Sequence, residues 1–258
     1  MKRHAFAAVK AMTIVGIIFL FAAGAAAQAP SVRIVASNGV QGALNELIPQ
    51  CERVIGHPLA VEFSTTAALK PRIEGGEAFD VTFLTSDAID ALIKEGKLAA
   101  DSRANAARVG IGVGIRAGAA KPDVSTSEAL KKTLLNAKSI TYAQAGASRP
   151  VIDKMLGGMG IADALKSKTL LLPGAEETTA AVVGGKADLL LTLISEIVSA
   201  KGMELAGPFP KEFQSYVAFA AGVSANAKNA EAAKAAVKFL TGPKAVSAYK
   251  AKGMEPVK

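Results

Sequence analysis

Tryptophan is absent from this 258-residue chain, aromatic residues make up 5% of it, and cysteine occurs once. A lone thiol, Cys51, excludes an intrachain disulfide scaffold and every zinc site built on several thiolates. Histidine occurs only at His4 and His57, which excludes a histidine-rich metal centre, so no metal and no other cofactor is expected. Charged residues account for 20% of the chain and hydrophobic ones for 50%. That much apolar surface excludes a disordered chain, and the length suffices for one large domain or two smaller lobes.

The net charge of +8 is partly removable. Lys2, Arg3 and Lys10 precede an apolar stretch from Ile14 to Phe21, and Ala25-Ala26-Ala27 supplies small residues before Gln28. This pattern predicts a signal peptide over residues 1–27, too short in its apolar part for a spanning helix. No cysteine follows for lipid attachment. Removal leaves 27 basic residues against 22 acidic ones, a charge of +5. So small a spread excess argues against a nucleic-acid partner. The expectation is a monomer exported to the periplasm that spans no membrane once processed.

The rest alternates strands with helices. Strand patterns at Val32–Ala36, Leu59–Phe63 and Asp80–Leu84 are separated by helical ones, which indicates a mainly parallel α/β sheet. Cys51 falls on the apolar face of the first helix, with Ala43, Leu44 and Leu47, so it belongs to the core. His57 sits in the turn Gly56-His57-Pro58, with no second ligand at metal spacing. Pro71 requires the second helix to start late or to kink. In Val109–Ile115 glycine alternates with β-branched residues, suiting a strand pressed against another backbone. A dinucleotide loop is excluded there because a loop, Arg116–Pro122, follows where a helix is needed. Ser125–Glu128 reads as a capping box, and strands at Ser139–Tyr142, Thr169–Leu172 and Leu189–Leu193 make a second α/β unit. A strand over 216–223 and two lysine-faced helices close the chain. The division expected is residues 31–110 plus 224–258 as one lobe and 111–223 as the other, joined by two β-crossings.

The order of strand, Ser37-Asn38-Gly39 loop, helix, strand, Ser64-Thr65-Thr66 and then Ile73-Glu74-Gly75-Gly76-Glu77-Ala78-Phe79-Asp80-Val81 resembles the periplasmic solute-binding proteins of ABC transporters, and within them the molybdate-binding proteins. Leu240–Ala245 and Lys252-Gly253-Met254 resemble the same group's C-terminus. The likeness covers essentially the whole chain after residue 27. It implies the type II two-lobed periplasmic binding protein fold, each lobe a mixed, mainly parallel sheet flanked by helices. It also implies a small anionic ligand, a molybdate-like oxyanion or organic acid, held between the lobes and passed to an ABC transporter permease. The family's five contact positions fall on Asn38-Gly39, on Thr65-Thr66, near Ser148 and Arg149, near Glu177-Thr178, and at Thr192 or Leu193. Two departures stand out: Gly39 carries no hydroxyl, and no tyrosine occupies the fifth position. Arg149 adds a planar fork suited to a carboxylate or phosphate.

Enzymatic readings find little support in these residues. A Ser-His-Asp system needs a histidine, and His57 lies far along the chain from Ser148. Gly146-Ala147-Ser148-Arg149-Pro150 lacks the last glycine of a nucleophile elbow. Asp80 and Asp87 are the one carboxylate pair considered for a secreted hydrolase. The expectation is therefore that the chain is no enzyme, with an exported ligand-sensing module as the alternative role.

Overall fold

The computed structural model describes residues 29–257. The expected signal segment, residues 1–27, lies outside the described residues. In chain order the first half contains β1 (Val32–Ser37), α1 (Asn38–Ile55), β2 (Leu59–Ser64), α2 (Thr66–Glu74), β3 (Val81–Thr85) and α3 (Ser86–Lys94). The long β4 (Ala104–Arg116) leads into α4 (Ser127–Asn136), β5 (Ile140–Ala143), α5 (Arg149–Gly158), α6 (Ala162–Lys166), β6 (Thr169–Leu172), α7 (Ala175–Val183), β7 (Leu189–Leu193), α8 (Ile194–Ser199) and β8 (Met203–Pro208). The return is made by β9 (Tyr216–Val223), α9 (Ala230–Leu240), α10 (Val246–Ala251) and β10 (Met254–Glu255).

Parallel pairs build both ends of the strand order β2-β1-β3-β9-β4-β7-β5-β6, and antiparallel β9 and β4 fill the middle. The mixed, mainly parallel architecture expected from the sequence is thus present. β4 belongs to both halves. Its residues 104–110 pair with β9, and 111–116 with β7 and β8. Where β9 stops pairing, the Gln214 side chain takes over. Its Oε1 accepts the Ile111 N–H at 2.8 Å and its Nε2 donates to the Ile111 carbonyl at 2.9 Å.

The alternation in β4 has a clear cause. Val109, Ile111, Val113 and Ile115 are all at least 98% buried in the main core. Of the intervening glycines, Gly112 and Gly114 face α8 and β8, and Gly110 faces the Gln214 side chain. A Cβ at Gly112 would lie 2.9 Å from the Gly207 carbonyl oxygen, too close for any side chain. α1 buries Val40, Ala43, Leu44, Leu47 and Cys51 on one face, starts at a Ser37 cap and stops at Gly56, which adopts φ 73°. Burial pushes the Cys51 thiol up to about 12, so it is a core residue and not a reactive one. α2 starts at Thr66, without the late start considered, and carries Pro71 as its sixth residue at the loss of one backbone bond. The helix predicted over 129–135 begins two residues earlier, capped by Thr126, whose Oγ1 accepts the Ala129 N–H.

Candidate functional site

Each parallel strand ends where a helix begins, so the starts of α1, α2 and α3 gather at one crevice and those of α5 and α7 at the facing side. Crevices at strand carboxyl ends are where open α/β sheets bind ligands. Unpaired N–H groups and the positive end of the helix dipole favour an anion there. A cleft of about 720 Å³ opens between the halves. Thr66, Thr85 and Ser86 line one wall, Gly146 and Pro150 the other, and Tyr216 stands at the crossing.

The predicted residues fall as follows. Asn38 and Gly39 form the first turn of α1, with the Gly39 N–H on Ser37 Oγ at 3.4 Å. Gly39 is required by packing. A Cβ there would lie 2.4 Å from Phe219 Cζ and 2.8 Å from Leu193 Cδ1, so the missing hydroxyl follows from the close approach of α1 to β7 and β9. Thr65 caps α2 by accepting the Ala68 N–H, and Thr66 Oγ1 accepts the Thr85 N–H at 3.3 Å. These hydroxyls tie two helix starts together at the cleft wall. Ser148 is 2% exposed and precedes α5, whose start its hydroxyl does not cap.

Arg149 lies in the first turn of α5. Its Nε donates to Asp153 at 2.6 Å and its guanidinium stands 5.1 Å from the Tyr142 ring centroid. Glu177 is exposed in the first turn of α7, while Thr178 is buried and donates to the Gly174 carbonyl at 3.0 Å. Thr192 is buried and donates to the Glu196 carboxylate. The starts of α1 and α8 thus meet, with Gly39 against Leu193 and its carbonyl accepting from the Ser195 hydroxyl at 2.7 Å, while Thr66 is the one predicted residue among those that line the cleft.

Glu196 escaped the sequence reading. It is half-buried, and burial pushes its carboxyl up to about 7 against the opposing effect of the Thr192 hydrogen bond. Only its position four residues after Thr192 hinted at it. The carboxylate pair weighed for a hydrolase is not one. Asp80 is 5% exposed and spends its oxygens on the backbone N–H groups of Arg33 and Lys228, each at 2.8 Å, while Asp87 is exposed in the first turn of α3. Among the described residues no cluster of three or more His, Cys, Asp or Glu is arranged to hold a metal ion, and no helix is long and apolar enough to cross a membrane.

Known proteins share this plan. The chain is 27% identical over 238 residues to an aconitate isomerase of Pseudomonas sp, covering 90% of each protein. It is likewise 27% identical over 236 residues to the molybdate-binding protein ModA of Azotobacter vinelandii, covering 88% of this chain and 91% of that protein. The solved periplasmic molybdate-binding protein of Azotobacter vinelandii superposes with a TM-score of 0.76 at 19% identity, over 88% of this chain and all of that one. The first of these relatives corrects the expectation that the chain is no enzyme, since an enzyme shares nine-tenths of its length. The physical reason is that triads and carboxylate pairs are not the only catalytic devices, and one acid of suitable pKa can move a proton. Residues 32–255 match the model of the bacterial extracellular solute-binding proteins, and with the helix starts converging on an interlobe cleft this chain belongs to that family.

Proposed function

We propose that the protein captures a small organic acid, of the di- or tricarboxylate class, between its halves and delivers it to an ABC importer. The observation that carries this is the cleft itself. At about 720 Å³ it lies within the range of sites for small organic ligands. Helix N-termini and the threonine hydroxyls supply its anion-binding character, and Ser148 and Arg149 lie between the lining residues Ala147 and Pro150. In this reading residues 31–110 with 224–258 form one lobe, 111–223 the other, and ligand contacts from both favour the closed state. Residues 1–27 direct export to the periplasm, where the chain acts as a monomer.

A second reading, isomerisation of the bound acid, is favoured by the likeness to an aconitate isomerase. The two share one site and one ligand class. Thermal unfolding in the presence of molybdate, sulfate, citrate and cis- and trans-aconitate tests the class. A carboxylate at one hundred times its dissociation constant adds about 2.7 kcal/mol of stability. Stabilisation by molybdate alone would refute the organic-acid reading.

A further inference from the structure

We propose that Tyr216 is the residue by which the cleft distinguishes an organic acid from a bare inorganic oxyanion, and that Arg108 and Glu255 hold its ring in place. This rests on the organic-acid reading of the cleft. Tyr216 opens β9 and lines the cleft together with Val217 and Ala218. It is 47% exposed, whereas the chain's other two tyrosines, Tyr142 and Tyr249, are buried. The strand register sets its surroundings. Tyr216 lies opposite Gly110 on β4, and Ala218 lies opposite Arg108. Arg108 and Tyr216 are therefore diagonal neighbours on one face of an antiparallel pair, within reach for long and aromatic side chains. The Arg108 guanidinium stands 4.6 Å from the Tyr216 ring centroid, a cation–π distance. β10 pairs with β4 so that Glu255 lies opposite Arg108. Arg108 Nε and Nη2 both donate to Glu255 Oε2, at 3.0 and 2.7 Å. A chain of contacts, Glu255 to Arg108 to Tyr216, thus crosses three strands close to where β4 passes from one half to the other. Arg108 and Glu255 are half-exposed, and an ion pair so open to solvent contributes little to stability.

Tyrosine offers a ligand two things: the apolar face of its ring, and a phenol hydroxyl that donates to an anionic oxygen. A bare oxyanion uses only the hydroxyl. An organic acid uses both, because its carbon skeleton packs on the ring while a carboxylate accepts from the phenol. The helix starts at Thr66 and Ser86 on the facing wall serve either kind of anion. Tyr216 is the one aromatic residue among those that line the cleft, so preference for a carbon-bearing ligand rests with it. A ring that had to be ordered on binding would cost affinity. Arg108, stacked on the ring and tied to Glu255, orders it beforehand. The last strand of the chain thereby takes part in binding without lining the cleft.

Calorimetric titration of the full chain with trans-aconitate and with citrate tests the proposal. Tyr216→Ala is expected to weaken whichever tricarboxylate wild type binds by about tenfold or more. Tyr216→Phe, which loses only the hydroxyl, is expected to weaken it about three- to tenfold. Arg108→Gln is expected to cost about two- to fivefold in the wild-type background and nothing further in Tyr216→Ala, because it acts through the ring. General structural damage would act in both backgrounds. A spectroscopic readout stands beside this, since the chain has no tryptophan and its emission comes from three tyrosines. Ligand is expected to change that emission in wild type and to leave it unchanged in Tyr216→Phe. Thermal melts confirm that each variant folds. Tricarboxylate affinity undiminished in Tyr216→Ala, or an equal loss from Arg108→Gln in both backgrounds, overturns the proposal and leaves the organic-acid reading standing. Failure of wild type to bind either tricarboxylate overturns both.

Discussion

Replacing Glu196 with glutamine changes stability in a way that depends on pH, and the sign follows from the direction of its shift. Its carboxyl titrates at about 7 in the folded chain against an ordinary value of 4.5. The folded state therefore holds a proton that the unfolded state has released between those two values. The stability associated with the protonated form is complete below pH 4.5 and is lost as pH rises through 7. A difference of this size corresponds to about 3 kcal/mol, at 1.36 kcal/mol per unit. Solvent contact at a half-buried residue makes that an upper value. Glu196→Gln keeps the shape and never ionises, so it escapes the loss. At pH 8 the variant is expected to be more stable than wild type by up to about 3 kcal/mol, raising the melting temperature by about 6 to 12 °C for a chain of this size. At pH 4.5 the two should differ little. Melting curves of both proteins at pH 4.5, 6 and 8 measure the difference, in which the titration of every other group cancels. A difference that does not vary with pH would refute the burial of this acid.

Other substitutions probe the frame around the site. Gly39→Ala forces a methyl against Phe219 and Leu193 and is expected to cost about 1 to 3 kcal/mol in urea unfolding. Ser195→Ala leaves the buried Gly39 carbonyl without its hydroxyl partner, for a loss of about 1 to 3 kcal/mol by the same assay. Arg149→Ala is expected to weaken carboxylate binding about tenfold in calorimetry, equivalent to about 1.4 kcal/mol, because Asp153 already holds one edge of the guanidinium. An unchanged affinity would assign Arg149 to its intrahelical pair alone.

The architecture was readable wherever local chemistry and burial agree. The glycine alternation of 109–115 announced a strand pressed against a neighbour, and β8 with α8 is that neighbour. Those two partners themselves went unread. α8 has six residues, too few for a helical period to emerge after the continuous apolar run of β7, and Met203–Pro208 shows no alternation because it is half-buried along most of its length. The start of α2 was visible as the hydroxyl cluster Ser64-Thr65-Thr66, whereas Ser37 stood in a loop that stops a strand and Ser148 was placed through the resemblance. Arg149 paired with Asp153 at a spacing of four was also available to the sequence reading, which took the guanidinium as directed to a ligand. Glu196 was not available. An acid in a first helical turn ordinarily complements the dipole in solvent, and only the tertiary packing of α8 on α1 and β4 reveals that this one is buried.

Calorimetric titration of the chain with trans-aconitate and, separately, with molybdate at pH 7 tests the central claim most directly. The account predicts saturable 1:1 binding of the tricarboxylate, with molybdate bound more weakly or not at all. Tight binding of molybdate with no heat from the tricarboxylate would contradict it.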